Sequence, residues 1–145
     1  MRIYGLLGEH LGHSFSPQIH KIIGGYDYGL FERSPEQLDA FLRSDEFDAI
    51  NVTIPHKKAV IPYCAELSPQ AKAIGSVNTI VRREDGTLYG DNTDYSGILY
   101  TIRHSGMDIA GKKCVVFGDG GVAPTVRTVL RDLNAGEIVT VSRKG

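Results

Sequence analysis

Cysteine is scarce: Cys64 and Cys114 are the only two in 145 residues, and they stand in no C-x-x-C or Cys/His ligand spacing. That scarcity excludes a disulfide-stapled scaffold and a structural zinc site, and leaves free buried thiols as the expectation. An excess of one charge is lacking too, since 16 Lys+Arg against 17 Asp+Glu give a net charge of -1. No general attraction to nucleic acid or to an anionic membrane follows, so any anion site has to be local. No apolar run approaches the roughly twenty residues of a spanning helix. The run at residues 3–7 soon meets Glu9 and His10, well short of a signal segment, and a cytoplasmic setting is expected. Internal repeats and low-complexity tracts are absent, and the five histidines form neither H-x-x-x-H nor H-E-x-x-H, so no metal is assigned.

What the chain does have is 41% hydrophobic residues, enough for a core, arranged so that strand-length runs alternate with segments of helical period. That alternation predicts an α/β fold. Residues 3–7 read as a buried strand. Ser16-Pro17 supplies an N-cap and a first-turn proline for a helix whose apolar stripe is Ile19, Ile22 and Ile23. Ser34-Pro35-Glu36-Gln37 forms a capping box ahead of Leu38, Phe41 and Leu42 at helical spacing. From Phe47 to Ile54 the period drops to two: Ile50, Val52 and Ile54 face one way, Asn51 and Thr53 the other, and Pro55 stops the strand. Ser68-Pro69 opens a short helix that Gly75 closes, and Asp85-Gly86 sits between two strand-like runs as a hairpin turn. A longer helix begins near Thr93, buries Tyr95, Ile98, Leu99 and Ile102, and ends at Gly106.

Beyond residues 107–112 comes a strand at 114–117, the glycine turn Gly118-Asp119-Gly120-Gly121, a helix through Val126, Val129, Leu130 and Leu133, and a strand at 138–141. This order is the opening βαβ of a dinucleotide-binding domain, in which glycines let the backbone approach a pyrophosphate facing a helix N-terminus. The alternative is a plain tight connection, and Asp119 weighs toward it, because a carboxylate beside a pyrophosphate is repulsive unless it faces away. An NAD site wants an acidic residue about twenty residues past the glycines, for the ribose diol. Ser142, Arg143 and Lys144 stand there instead, and a hydroxyl with two cations suits a 2'-phosphate, hence NADP. A solvated basic segment is the bland reading.

Polar residues gather at the ends of elements: Ser14 and Ser16, Asn51 and Thr53, Asn78 and Thr79, then Asn92, Thr93 and Asp94. Open α/β sheets bind ligands beyond their strand ends, although each residue alone is more often a cap or turn former. Lys57 or Lys58 with Asp94 could perform acid–base work, the ammonium protonating an alkoxide and the carboxylate orienting it. Residue types leave those two lysines equivalent.

Together these motifs resemble the shikimate dehydrogenases. The resemblance rests on residues 8–20 (GEHLGHSFSPQIH), 51–57 (NVTIPHK), 75–79 (GSVNT), 90–94 (GDNTD) and 118–123 (GDGGVA), with SRK at 142–144. It implies a three-layer α/β substrate-binding domain with a mostly parallel sheet over residues 1–106, followed by a truncated Rossmann-like βαβ, a partial NADP-binding segment, over 107–145. It implies that Ser14 and Ser16 hold the substrate carboxylate, that Asn51, Thr53, Asn78 and Asp94 bind ring hydroxyls, and that Lys57, held by Asp94, is the acid–base residue. Gly118, Gly120, Gly121, Val122, Ala123, Ser142, Arg143 and Lys144 would hold NADP. The implied reaction is the reversible reduction of 3-dehydroshikimate to shikimate, on the way to aromatic amino acids. A quinate/shikimate dehydrogenase and a non-catalytic shikimate-binding fragment are the alternatives.

The family's cofactor domain continues past the motifs seen here, so the chain reads as a shortened form, expected to bind shikimate weakly and to turn over NADPH slowly or not at all alone. Residues 112–145 leave apolar surface and a strand edge uncovered, so they are expected to pack on residues 1–111 or to pair with a second copy.

Overall fold

The computed structural model describes residues 2–143. Two compact units form, one from residues 1–72 and 76–91, the other from 73–75 and 92–145.

The first unit is built on six strands: β1 (Tyr4–Gly8), β2 (Tyr28–Glu32), β3 (Ala49–Val52), β4 (Cys64–Leu67), β5 (Thr79–Arg82) and β6 (Leu88–Asp91). Their order is β2-β1-β3-β5-β6-β4. Three of the five pairings are parallel (β1–β2, β1–β3, β4–β6) and the hairpin strand β5 pairs antiparallel with both β3 and β6. The hairpin turn falls at Asp85-Gly86 as its residues predict, with Gly86 at φ 82° and the Thr87 N–H donating to Asp85 Oδ1.

Register divides the residues between two faces, because side chains opposite one another on paired strands project the same way. Leu7, Phe31, Val52, Ile50 and Ile80 fall on one face by their pairings and merge with Leu38, Phe41, Leu42 and Phe47 into the main core. Helix α2 (Leu38–Arg43) covers that face, entered through a 3-10 turn at Pro35–Gln37, where Ser34 N–H donates to Gln37 Oε1 as the capping box requires. Tyr4, Leu6, Tyr28, Asn51 and Thr79 fall on the other face. The alternation expected from Phe47 to Ile54 holds for Ile50 and Val52, which serve the core, and for Asn51 on the opposite side; Ile54 lies beyond the end of β3 and is exposed rather than facing the core.

Arg82, at the end of β5, clamps the core face. Its guanidinium donates to Ser44 O (2.7 Å), Phe47 O (3.2 Å), Gly86 O (3.3 Å) and Leu42 O (3.4 Å), and its carbon lies 4.5 Å from the Phe47 ring centroid. It thereby satisfies carbonyls left open at the end of α2.

Helix α1 (Ser16–Gly24) differs from expectation. Pro17 lies in its first turn and Gly25, at φ 58°, ends it, but Ser16 is its first residue rather than its cap. Its isoleucine stripe is exposed, Ile22 at 86%. The half-buried side is Ser16, Pro17 and His20, and His20 stacks on Tyr28 with ring centroids 3.8 Å apart. Strands β2 and β4 lacked a strong local signal; each pairs parallel with a strand remote in sequence. Helix α3 (Pro69–Ile74) opens where expected, Ala71 N–H donating to the Ser68 hydroxyl at 3.0 Å, and Gly75 follows at φ 69°.

The second unit holds α4 (Asp94–His104), β7 (Lys113–Phe117), α5 (Ala123–Asp132) and β8 (Glu137–Val141), with β7 and β8 parallel. Ile102, Val129 and Leu130 form its core, flanked by Tyr95, Ile98, Leu99, Val126, Cys114, Val116 and Ile138. The stripe predicted for α4 thus packs on α5, and α4, counted with residues 1–106 in the sequence reading, groups with the residues after it. Both thiols are free and half-buried; burial pushes that of Cys64 up to about 11. No helix among the described residues is long and apolar enough to cross a membrane.

Candidate active site

The loop leaving β1 sets the first cluster. Leu11 N–H donates to Glu32 Oε1 (2.7 Å) at the end of β2, Ser14 N–H to Leu11 O (2.9 Å), and Ser16 N–H to the Ser14 hydroxyl (3.2 Å). Thr53 continues β3 toward the same loop, its N–H donating to Leu7 O at 2.8 Å. A Cβ on Gly8 would meet Leu11 at 2.6 Å and the Thr53 methyl at 2.7 Å, so only glycine lets the loop and strand end close together. Ser14, Ser16 and Thr53 then line one cavity of about 390 Å³ with Leu6, Leu11, His10 and His13. Three of the predicted substrate residues are brought together here. His10 was not singled out by sequence; only its place between two loop glycines hints at it.

Asn51 is on this face but lines a different cavity, of about 380 Å³, with Tyr4, His20, Tyr26 and Thr79. Its side-chain amide accepts from the Tyr28 hydroxyl (2.7 Å) and donates to Thr79 Oγ1 (3.2 Å), which donates to Asn78 Oδ1 (3.0 Å). Asn78 is buried, and its backbone is laced into the sheet, with Asn78 N–H donating to Asp91 O and its carbonyl accepting from Val52 N–H.

Lys57 and Lys58 separate in the structure. The segment after Thr53 is pinned by buried His56, whose N–H donates to Thr53 O (2.9 Å) and whose Nε2 donates to Arg33 O (2.8 Å). Because that acceptor is a carbonyl, Nε2 carries the ring hydrogen. Lys57 is half-buried and its carbonyl accepts Val77 N–H at 2.8 Å, which ties it to the residue preceding Asn78. Lys58 is exposed. His56 gave no signal in sequence beyond adjoining the lysine.

In the second unit Asp94 begins α4 after the Thr93 cap, where a carboxylate is favoured by the helix dipole; Asn92 beside it is buried. The glycine turn follows β7. Gly118 adopts φ 101°, open only to glycine, and α5 begins at Ala123 with Pro124 in its first turn, where no backbone donor is lost. Phe117, Gly118, Asp119, Gly120, Val141, Ser142 and Arg143 line a cavity of about 640 Å³. The glycines and the serine–arginine pair therefore share one site, with Gly121, Val122 and Ala123 leading from it into α5; Lys144 lies outside the described residues. The objection raised by Asp119 is met by Arg127, whose Nη1 lies 3.1 Å from its carboxylate and offsets its charge. Backbone donors at a helix start, a glycine-only turn and a guanidinium at the next strand's end fit a phosphorylated dinucleotide.

A mixed α/β unit with a hydroxyl-lined cavity at its strand ends, joined in sequence to a strand–glycine turn–helix–strand unit, defines the dinucleotide-linked α/β class. Residues 6–80 match the shikimate dehydrogenase substrate binding domain, and the chain belongs to that family. It is 42% identical to the shikimate dehydrogenase (NADP(+)) of Clostridium beijerinckii, covering 99% of this chain and 56% of that one. Among solved structures, a chorismate mutase/shikimate 5-dehydrogenase fusion protein from Clostridium acetobutylicum superposes with a TM-score of 0.91 at 39% identity, over 99% of this chain and 56% of that one. The shikimate 5-dehydrogenase of Thermus thermophilus in complex with NADP(H) and shikimate gives 0.86 at 31%, with the same coverages. The chain thus spans about half the length of these relatives.

Proposed function

We propose that the protein containing this chain reduces 3-dehydroshikimate reversibly to shikimate with NADPH. The convergence of Ser14, Ser16 and Thr53 on one cavity, with Lys57 four residues beyond Thr53, carries this reading. In it, residues 1–106 serve the substrate and 107–145 begin the NADP site. Ser14 and Ser16 take the substrate carboxylate at the start of α1, where the helix dipole favours an anion. Thr53, Asn51, Asn78 and Asp94 hold ring hydroxyls. The Lys57 ammonium gives a proton to the ring carbonyl oxygen during reduction and takes one back during oxidation, and Asp94 orients it. Bound NADPH supplies the hydride; the turn at Gly118, Gly120 and Gly121, with Val122 and Ala123, receives its pyrophosphate, and Ser142, Arg143 and Lys144 its 2'-phosphate.

The same reading places the protein in the cytoplasm and has it associate through the β7–β8 pair, whose Val115, Phe117 and Val141 are exposed. Sedimentation as a strict monomer at micromolar concentration overturns the association, and cell fractionation checks the location. Shikimate calorimetry and substrate-dependent NADPH oxidation test the chemistry. Binding by wild type, with turnover abolished in Lys57→Ala but binding weakened less than tenfold, is expected. Shikimate heat without turnover in a chain carrying the relatives' full length would instead favour a binding module. A preference for quinate would shift the substrate, and no heat with either ligand overturns the reading.

A further inference from the structure

Residues 54–60, which carry Lys57, form turns and belong to no strand or helix. Such a segment can open locally while the sheet beside it stays folded, unless side chains anchor it. Between Val52 and Val60 only one side chain is fully buried, that of His56, at 1% exposure. Where His56 is attached therefore decides where the backbone of Lys57 stands.

The attachment point is Arg33, just past β2. His56 Nε2 donates to Arg33 O at 2.8 Å, and Arg33 is itself fixed from three sides. Its N–H donates to Gly8 O (2.9 Å), its Nη2 lies 2.6 Å from the Glu46 carboxylate, and its guanidinium carbon lies 4.8 Å from the Phe41 ring centroid. The residue before it, Glu32, accepts Leu11 N–H at 2.7 Å and so fixes the loop that leads to Ser14 and Ser16. Two adjacent residues at the end of β2 thus hold both loops, Glu32 the serine loop directly and Arg33 the lysine loop through an imidazole.

From the ring the restraint passes along the backbone. His56 N–H donates to Thr53 O (2.9 Å), His56 O accepts Val60 N–H (3.0 Å), and the next carbonyl, that of Lys57, accepts Val77 N–H (2.8 Å). Proton transfer at a ring carbonyl requires the ammonium at a set distance from the point where the ligand carboxylate is held. A misplacement of about 1 Å can lower turnover about a hundredfold while binding persists.

We propose that His56 is a positioning residue for Lys57, its imidazole hung from the Arg33 carbonyl so that the lysine loop keeps a fixed spacing from the serine loop held by Glu32. The proposal rests on the reading of Lys57 as the acid–base residue, and its test separates the two.

The variants, made in the protein that contains this chain, are His56→Phe, which fills the space without a donor, His56→Gln, whose amide reaches the place of Nε2, and His56→Asn, whose amide falls short of it. Shikimate oxidation by NADP gives kcat and KM, and hydrogen exchange of the ligand-free protein compares Val77 N–H, bound to Lys57 O, with the core amide of Ile80. His56→Phe and His56→Asn are each expected to lower kcat tenfold or more with KM for shikimate within threefold of wild type, and His56→Gln to recover kcat to within threefold. Exchange at Val77 should rise about tenfold in the Phe and Asn variants and stay unchanged at Ile80. If His56→Phe fails to fold, the Gln and Asn pair, alike in chemistry and different in reach, decides. Unchanged kcat in the Phe and Asn variants, equal kcat in Gln and Asn, or a rise in KM with kcat kept overturns the positioning role. Absence of turnover by wild type overturns the acid–base reading and the positioning role with it, and faster exchange at Val77 alone would in that case still establish the loop anchor.

Discussion

Replacing Arg82 by methionine keeps the length and apolar packing of the side chain and deletes its charge and five donors. Of its four carbonyl contacts only those to Ser44 and Phe47 are short enough, at 2.7 and 3.2 Å, to count as full hydrogen bonds. A hydrogen bond from a charged donor contributes about 1.5–3 kcal/mol when its acceptor is buried, and the lower end applies here because the guanidinium is half-exposed and water can reach part of the site. The cation over Phe47 adds about 0.5 kcal/mol. Methionine recovers some of the contact with the ring, so the net loss is about 2–3 kcal/mol. Urea unfolding followed by tyrosine fluorescence should show this as a midpoint lowered by about 1 M for a slope of roughly 2 kcal/mol/M. Arg82→Lys, which can satisfy one carbonyl, should fall between wild type and Arg82→Met. A loss below about 0.5 kcal/mol in Arg82→Met would refute the reasoning, placing the clamp among surface contacts that contribute nothing measurable.

Thr125 has a buried hydroxyl oxygen with no hydrogen-bond partner among the described residues, so Thr125→Val, equally branched at Cβ, should stabilise the second unit by about 1 kcal/mol in the same urea assay. Cys64, with its thiol raised from 9.0 to about 11, should resist iodoacetamide near pH 8 in the folded protein and react once urea unfolds it. Its folded state holds the proton more tightly than the unfolded state. The corresponding stability is therefore complete below pH 9 and is lost as pH rises toward about 11, a decline that Cys64→Ala should lessen. Arg127→Gln uncovers the Asp119 carboxylate and should weaken NADPH binding about twofold to fivefold in a fluorescence titration, with Asp119→Asn restoring it.

Much of the fold was legible because its signals are local. The capping box before α2, the Asp85-Gly86 turn, the glycine that ends α3 and the alternation of Ile50, Asn51 and Val52 are each read from residues adjacent in the chain. Strands β2 and β4 were not, since YGLFE and CAEL acquire strand character only by pairing with β1 and β6. Helix α1 misled: its isoleucines recur at the spacing of a buried stripe, but aromatic stacking of His20 attaches the other side. For the candidate site, Ser14, Ser16 and Thr53 were legible as polar residues at element ends, and their meeting in one cavity needed the Glu32 and Leu7 contacts that only folding provides. Residue type could not choose between Lys57 and Lys58, which differ in backbone tethering and burial. Tyr28 and His56 act through partners 23 residues away, Asn51 and Arg33, and neither left a pattern around itself.

The two sides of β3 answer to different selective demands while sharing one backbone four residues long. Deleting a single residue ahead of Ile50 would send aliphatic side chains to the polar face and an amide into the hydrocarbon interior in one stroke. Individual side chains along this strand can therefore be exchanged while its length is fixed, and indels tolerated in the neighbouring loops should disrupt the core here.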